Sequence, residues 1–195
     1  VFAIAITLLV IEIHAPHLPY GASASAHLHA LGALAPSLIG FVVSFFAIGA
    51  FWAGHHRMFT LAATWSDGLV TANLLLLLTI VAMPFFTAYL SAGYGSSIPV
   101  LCYTGWLLLA GLANIRLQRM VTSSPVVSSD ADPARIATIR HRGLAVVLGA
   151  ICALLLAATL PAPSTALFAL MTIPIWRRLS DRLSRRSESE AVATA

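Results

Sequence analysis

Apolar stretches alternate with short polar ones along nearly the whole chain. The first covers residues 1–13 and is followed by a connection rich in His, Pro, Ala and Ser over residues 14–36. A second apolar run, residues 37–54, is closed by the polar cluster His55, His56 and Arg57. A third spans residues 67–90; a Gly/Ser turn at 91–97 separates it from a fourth at 98–115, which ends at Arg116 and Arg119. Residues 122–133 are rich in Ser, Asp and Pro, which marks a loop. Asp132 before Pro133 is a helix-start signal, an N-cap followed by a proline whose missing N–H costs nothing in the first turn. A fifth helix is therefore predicted from about Ala134, with its apolar part over residues 143–160. Pro161 and Pro163 mark a tight turn, and a sixth run covers residues 164–176, reaching 179 if it passes Pro174. Crossing a bilayer takes about 20 apolar residues. The pattern predicts an all-α membrane protein with six transmembrane helices over residues 1–179 and a polar tail over 180–195. Residues 1–13 make only about 20 Å of helix, so the first span is expected to be incomplete in this numbering. No basic start or small-residue cleavage site marks it as a signal peptide.

Composition supports that class. Hydrophobic residues are 59% of the chain, charged residues 9%, and mean hydropathy is +0.90; a soluble domain carries about 25% charged residues. The net charge of +4 is not a nucleic-acid signal, because its placement follows the membrane. All 11 basic residues are arginines. Arg57 lies between the second and third runs. Arg116, Arg119, Arg135, Arg140 and Arg142 lie between the fourth and fifth. Arg177, Arg178, Arg182, Arg185 and Arg186 follow the sixth. Basic residues collect on the cytoplasmic side, so both termini are expected there and the number of spans is even. The same arginines are expected against anionic lipid headgroups. Trp52, Trp65 and Trp176 sit near that boundary, whereas Trp106 falls mid-run and is expected to pack within the protein. Cys102 and Cys152 lie in apolar runs and suggest buried packing, not a disulfide framework.

Candidate chemistry is sparse. There is no phosphate-binding loop, no Gly-rich nucleotide fingerprint and no HExxH, so neither an enzyme nor a cofactor is expected. His14, His17, His27 and His29 share the first connection without an acidic or thiol partner and read as a solvated loop. His55 and His56 are adjacent, so they point to different sides of a helix: either they simply end the span, or one bonds inward to a neighbouring helix. Within the spans the main polar candidates are Thr7, Asn73 and Thr79, informative because hydrocarbon penalises unpartnered polar groups. Asn73 is placed to join two helices by a side-chain hydrogen bond, while Thr7 can bond back to its own helix. At about 100° per residue, Ile4, Thr7, Leu8 and Ile11 share an arc of about 100°. Glu12 borders that arc and is the only acidic residue on the arginine-free side. Ordinary helix packing explains such a stripe equally well.

Three blocks change the balance: VFAIAITLLVIEI at residues 1–13, FWAGHHRMF at 51–59 and NLLLLLTIVAMPF at 73–85. In that order and spacing they resemble the transmembrane protein 175 potassium channel family. The resemblance covers the first three spans; the later ones match in number and topology. It implies a tetrameric cation channel without a carbonyl-loop filter, and TVGYG is missing here. It implies a pore lined by the first helix, with a constriction at Ile4, Leu8 and Ile11, selectivity tuned by Thr7, and Glu12 at the outer mouth. It further implies an inner hydrogen-bond network of His55, His56, Asp67 and Asn73. The family hallmark R-x-x-x-F-S-D would immediately precede Val1; TWSDG at residues 64–68 opens the third span and is not that motif. The expected protein is a potassium-selective, leak-type homotetramer in a bacterial cytoplasmic membrane, with potassium and other monovalent cations as its permeant partners. Elementary physics agrees. A subunit of 20.6 kDa is small to enclose a pore, so a cyclic oligomer is a natural solution. Rings of Ile and Leu exclude hydrated ions by dewetting, and a ring of Glu12 concentrates cations. The alternative is a secondary transporter, for which the sequence shows no inverted repeat, no pair of broken spans and no mid-membrane acidic relay. A membrane enzyme or sensor would need a polar cluster that only the His-rich connection supplies.

Overall fold

A computed structural model of the chain describes residues 1–162 and Thr165. Seven helices follow in order: α1 (Phe2–Ile11), α2 (Ala24–Ala33), α3 (Ala35–Phe59), α4 (Asp67–Val81), α5 (Met83–Ala92), α6 (Ser97–Val121) and α7 (Pro133–Thr159). Among the described residues four stretches are long and apolar enough to cross a membrane: α3, the segment Asp67–Ala92, α6 and α7; α1 is apolar but shorter. The predicted sixth span, its Trp176, the five arginines after it and the polar tail lie outside the described residues.

Several boundaries differ from the sequence pattern, each for a local reason. Residues 14–36 are not all loop, because α2 forms within them. Its first turn is capped by Ser23, whose hydroxyl accepts from the Ala26 N–H at 3.2 Å, and its residues up to Leu31 include no glycine, proline or β-branched side chain. The second span does not close at Gly54. No breaker stands in residues 55–59, and His56 and Arg57 in the last turn of α3 complement its dipole. α6 likewise runs past Ile115, carrying Arg116 and Arg119. The third span is divided at Ala82, because Pro84 lacks the N–H that would bond Ile80 and its ring crowds that carbonyl. Neighbouring bonds open, with Ala82 N to Leu78 O at 3.3 Å and Phe86 N to Ala82 O at 3.4 Å. The predicted cap of α7 is present: Asp132 Oδ1 accepts from the Ala134 N–H at 2.9 Å.

The helices pack as a bundle in which α1 touches α3, α4 and α5, and α6 lies against α4, α5 and α7. Lipid tails are as apolar as leucine, so close packing and interhelical hydrogen bonds must hold such a bundle together. The α6–α7 contact shows how. Gly111 faces Val147, whose Cγ2 would stand 2.9 Å from an added Cβ, and a Cβ on Gly143 would overlap Gln118 Oε1. Ala150, Ala153 and Ala157 continue the small-residue face of α7. At the arginine-bearing end the two connections are tied together. Ala63 N–H donates to Val126 O at 2.8 Å and Ser128 N–H to Leu61 O at 2.9 Å. Arg135 Nη2 donates to Thr60 Oγ1 at 2.9 Å, and Arg140 Nε to Thr122 Oγ1 at 2.8 Å.

Candidate permeation helix and its anchor

Helix α1 has two unlike faces. Phe2, Ala5 and Leu9 are buried against the bundle. Ile4, Leu8 and Ile11 point away from it, with 63%, 40% and 66% of their surface open. Thr7 shares that open face, and its hydroxyl donates to the Ile4 carbonyl at 2.9 Å. The back-bond satisfies the donor while leaving the oxygen lone pairs toward the open side. Val10 is open as well, so the uncovered side is wider than the predicted stripe. Glu12 is the residue after the last turn and is half-buried; its carbonyl accepts from His14 Nδ1 at 3.1 Å. His14, His17, His27 and His29 are all exposed, and no three His, Cys, Asp or Glu gather among the described residues.

The start of α1 is held by an aromatic and polar anchor. His55 of α3 donates from Nε2 to Asn73 Oδ1 of α4 at 2.8 Å. The His55 ring lies 5.2 Å from Phe2 and 4.6 Å from Phe59, centroid to centroid, and Phe59 stacks on Trp65 at 5.2 Å. One imidazole thus ties α1, α3 and α4 together. The other predicted members of the network stand apart. His56 turns to the far side of α3 and stacks on Trp52 at 6.1 Å. Asp67 is exposed in the first turn of α4 and hydrogen-bonds neither His55 nor Asn73. TWSDG has a local role here: Ser66 caps α4 by accepting from Leu69 N–H at 3.3 Å, and Asp67 faces the positive end of that helix dipole.

Sequence reasoning missed a second polar centre. Ser44 lies within 2.6 Å of Thr87 Oγ1 and 3.0 Å of the Tyr103 hydroxyl, all three buried. Thr87 spends its proton on Met83 O at 2.8 Å, so the chain runs Tyr103 to Ser44 to Thr87 to backbone and every donor is used. The signal was a serine and a threonine inside apolar runs, but their partner lies 59 residues away on α6. Buried Asn114 and Gln118 of α6 were also missed.

The family model described as endosomal/lysosomal potassium channel TMEM175 matches residues 1–84. Those residues hold α1, its anchor and the break at Pro84. Over these residues the chain is similar to the TMEM175 family. A potassium channel of Streptomyces collinus is 45% identical over 92 residues, 47% of this chain and 43% of that protein. A potassium channel of Chamaesiphon minutus is 41% identical over 91 residues, 47% of this chain and 44% of that one. A Chryseobacterium potassium channel is 27% identical over 121 residues, 62% and 59% of the two chains. The matched stretches therefore span about half the length of these curated relatives. Similarity of fold extends further. The crystal structure of a lysosomal potassium-selective channel TMEM175 homolog from Chamaesiphon minutus superposes with a TM-score of 0.76 at 26% identity, covering 92% of both chains. The chain is thus a multi-pass helical membrane protein, and its family-matched part is the part that builds the open-faced helix.

Proposed function

We propose that this protein is a potassium-selective, leak-type cation channel, a homotetramer in which α1 of each subunit lines a central pore. The observation that carries the reading is the split of α1: Phe2, Ala5 and Leu9 are packed while Ile4, Thr7, Leu8 and Ile11 are open in the single subunit. Four such faces around an axis make an apolar neck in which Ile4, Leu8 and Ile11 disfavour hydrated ions. Thr7 is then the one hydroxyl on the permeation path, with its lone pairs available to a cation. Glu12, on the arginine-free side, forms the outer mouth and concentrates cations there. The curated relatives carry the name potassium channel, and the similar solved structure is that of a potassium-selective channel. Positive-inside placement of the arginines puts both termini in the cytoplasm of a bacterial cell, with six spans once the last apolar run is included.

Reconstituted protein should carry potassium current down its gradient with no coupled solute; strict exchange coupled to a second solute would favour a transporter. Ile4→Asn and Leu8→Asn should raise conductance or weaken selectivity. Wild-type currents in both would remove these residues from the pore. The break in the Asp67–Ala92 segment is the one feature that suits a transporter, whose binding sites use broken helices. Such sites use them in pairs, and α4–α5 has no counterpart among the described residues.

A further inference from the structure

The break at Pro84 is bridged by a single side chain. Trp106 of α6 donates from Nε1 to the Thr79 carbonyl at 2.9 Å, on the α4 side of the break. Its ring lies flat on Phe86, on the α5 side, with centroids 4.4 Å apart and planes 21° from parallel. The indole therefore fixes one half-helix by a hydrogen bond and the other by its face. A second tether from the same helix, Tyr103 through Ser44 to Thr87, holds α5 one turn further on. Proline opens the backbone at this point and leaves only long bonds through Ala82, so the segment's own hydrogen bonding holds the angle between its halves weakly. Contacts from α6 reach both halves.

That angle reaches α1. α1 begins at the His55 anchor where α4 passes through Asn73, and the two run the same way, since α1 goes on to touch α5. Nine residues on, at about 1.5 Å per residue, α1 has reached Ile11 and α4 has reached Ala82. The far end of α1 thus stands level with the break, and α1 touches both halves of the bent segment. Resting on the pore reading above, we infer that Trp106 is a positioning residue: it sets the bend at Pro84 and, through α5, the width of the neck at Leu8 and Ile11.

Single-channel recording in planar bilayers tests this. Trp106→Phe keeps an aromatic ring to set against Phe86 while deleting the N–H and part of the indole; it should change unitary conductance or open probability about fivefold, the weight of one net hydrogen bond. Pro84→Ala restores the missing N–H and straightens the segment, so its effect and that of Trp106→Phe should not multiply in the double variant. Trp106→His, which retains a ring N–H, should recover most of the wild-type conductance. The permeability ratio of potassium to sodium should stay as in wild type throughout, because Thr7 is untouched. A Trp106→Phe tetramer with wild-type conductance and open probability overturns the inference, as do effects that simply multiply. If Trp106→Phe does not assemble, Phe86→Leu removes the contact on the other side of the break and is read in the same way. Ile4→Asn in the same series separates the two readings: if it too is silent, α1 is not in the pore. If it alone acts, only the role of Trp106 falls.

Discussion

Gly143 has no room for a side chain: an added Cβ would overlap Gln118 Oε1, and Gln118 is itself buried on α6. Gly143→Ala should therefore destabilise the α6–α7 pair by about 1–3 kcal/mol, seen as a lower melting temperature of the detergent-solubilised protein. Gln118→Ala in the same chain should restore most of the loss. If Gly143→Ala melts as wild type, Gln118 moves aside freely and the two helices are less closely fitted than described. Individual residues were legible in unequal measure. Asn73 could be picked out because an amide in an apolar run needs a partner, and it has one in His55. Asp67 looked like a member of the same network but is spent on the start of its own helix. Nothing in the residue types separates these two cases; the separation comes from which face of α4 meets α3.

Helices were read well where the pattern is local and poorly where the ends depend on context. The apolar parts of α3, α6 and α7 were plain because each holds a run comparable to a bilayer's thickness. The overhangs of α3 and α6 were missed, since polar residues such as His56, Arg57 and Arg119 are good at ending an apolar run but do not end a helix. α2 was missed because its histidines and small residues carry no apolar stripe and its main packing is against α3. Its cap is correspondingly important. Ser23→Ala should cost about 1 kcal/mol locally and speed amide exchange in the first turn of α2 about fivefold. Exchange unchanged at residues 24–27 would mean that continuity with α3, not the cap, holds that helix.

At the scale of the assembly, the open face of α1 is surface in the single subunit; in the proposed fourfold ring the same residues would face one another across the axis. In a chain carrying Cys102→Ser and Cys152→Ser, Leu8→Cys should form disulfide-linked dimers in oxidised membranes, which gel shift under non-reducing conditions would reveal. Cross-linking equal to that of a lipid-facing control such as Phe46→Cys, 69% open on α3, would place α1 away from the axis. Membrane class, the described spans, the stripe on α1 and the family blocks could all be read directly from the chain. Each depends on neighbours within a turn or a run, through hydropathy, helical period and charge bias. The bonds that join His55 to Asn73, Ser44 to Tyr103 and Trp106 to Thr79 could not. They link residues 18, 59 and 27 positions apart, and only the packing of whole helices brings them into contact. For the same reason the stripe on α1 became informative only in three dimensions: periodicity defines two faces, and the surrounding helices decide which one is left uncovered.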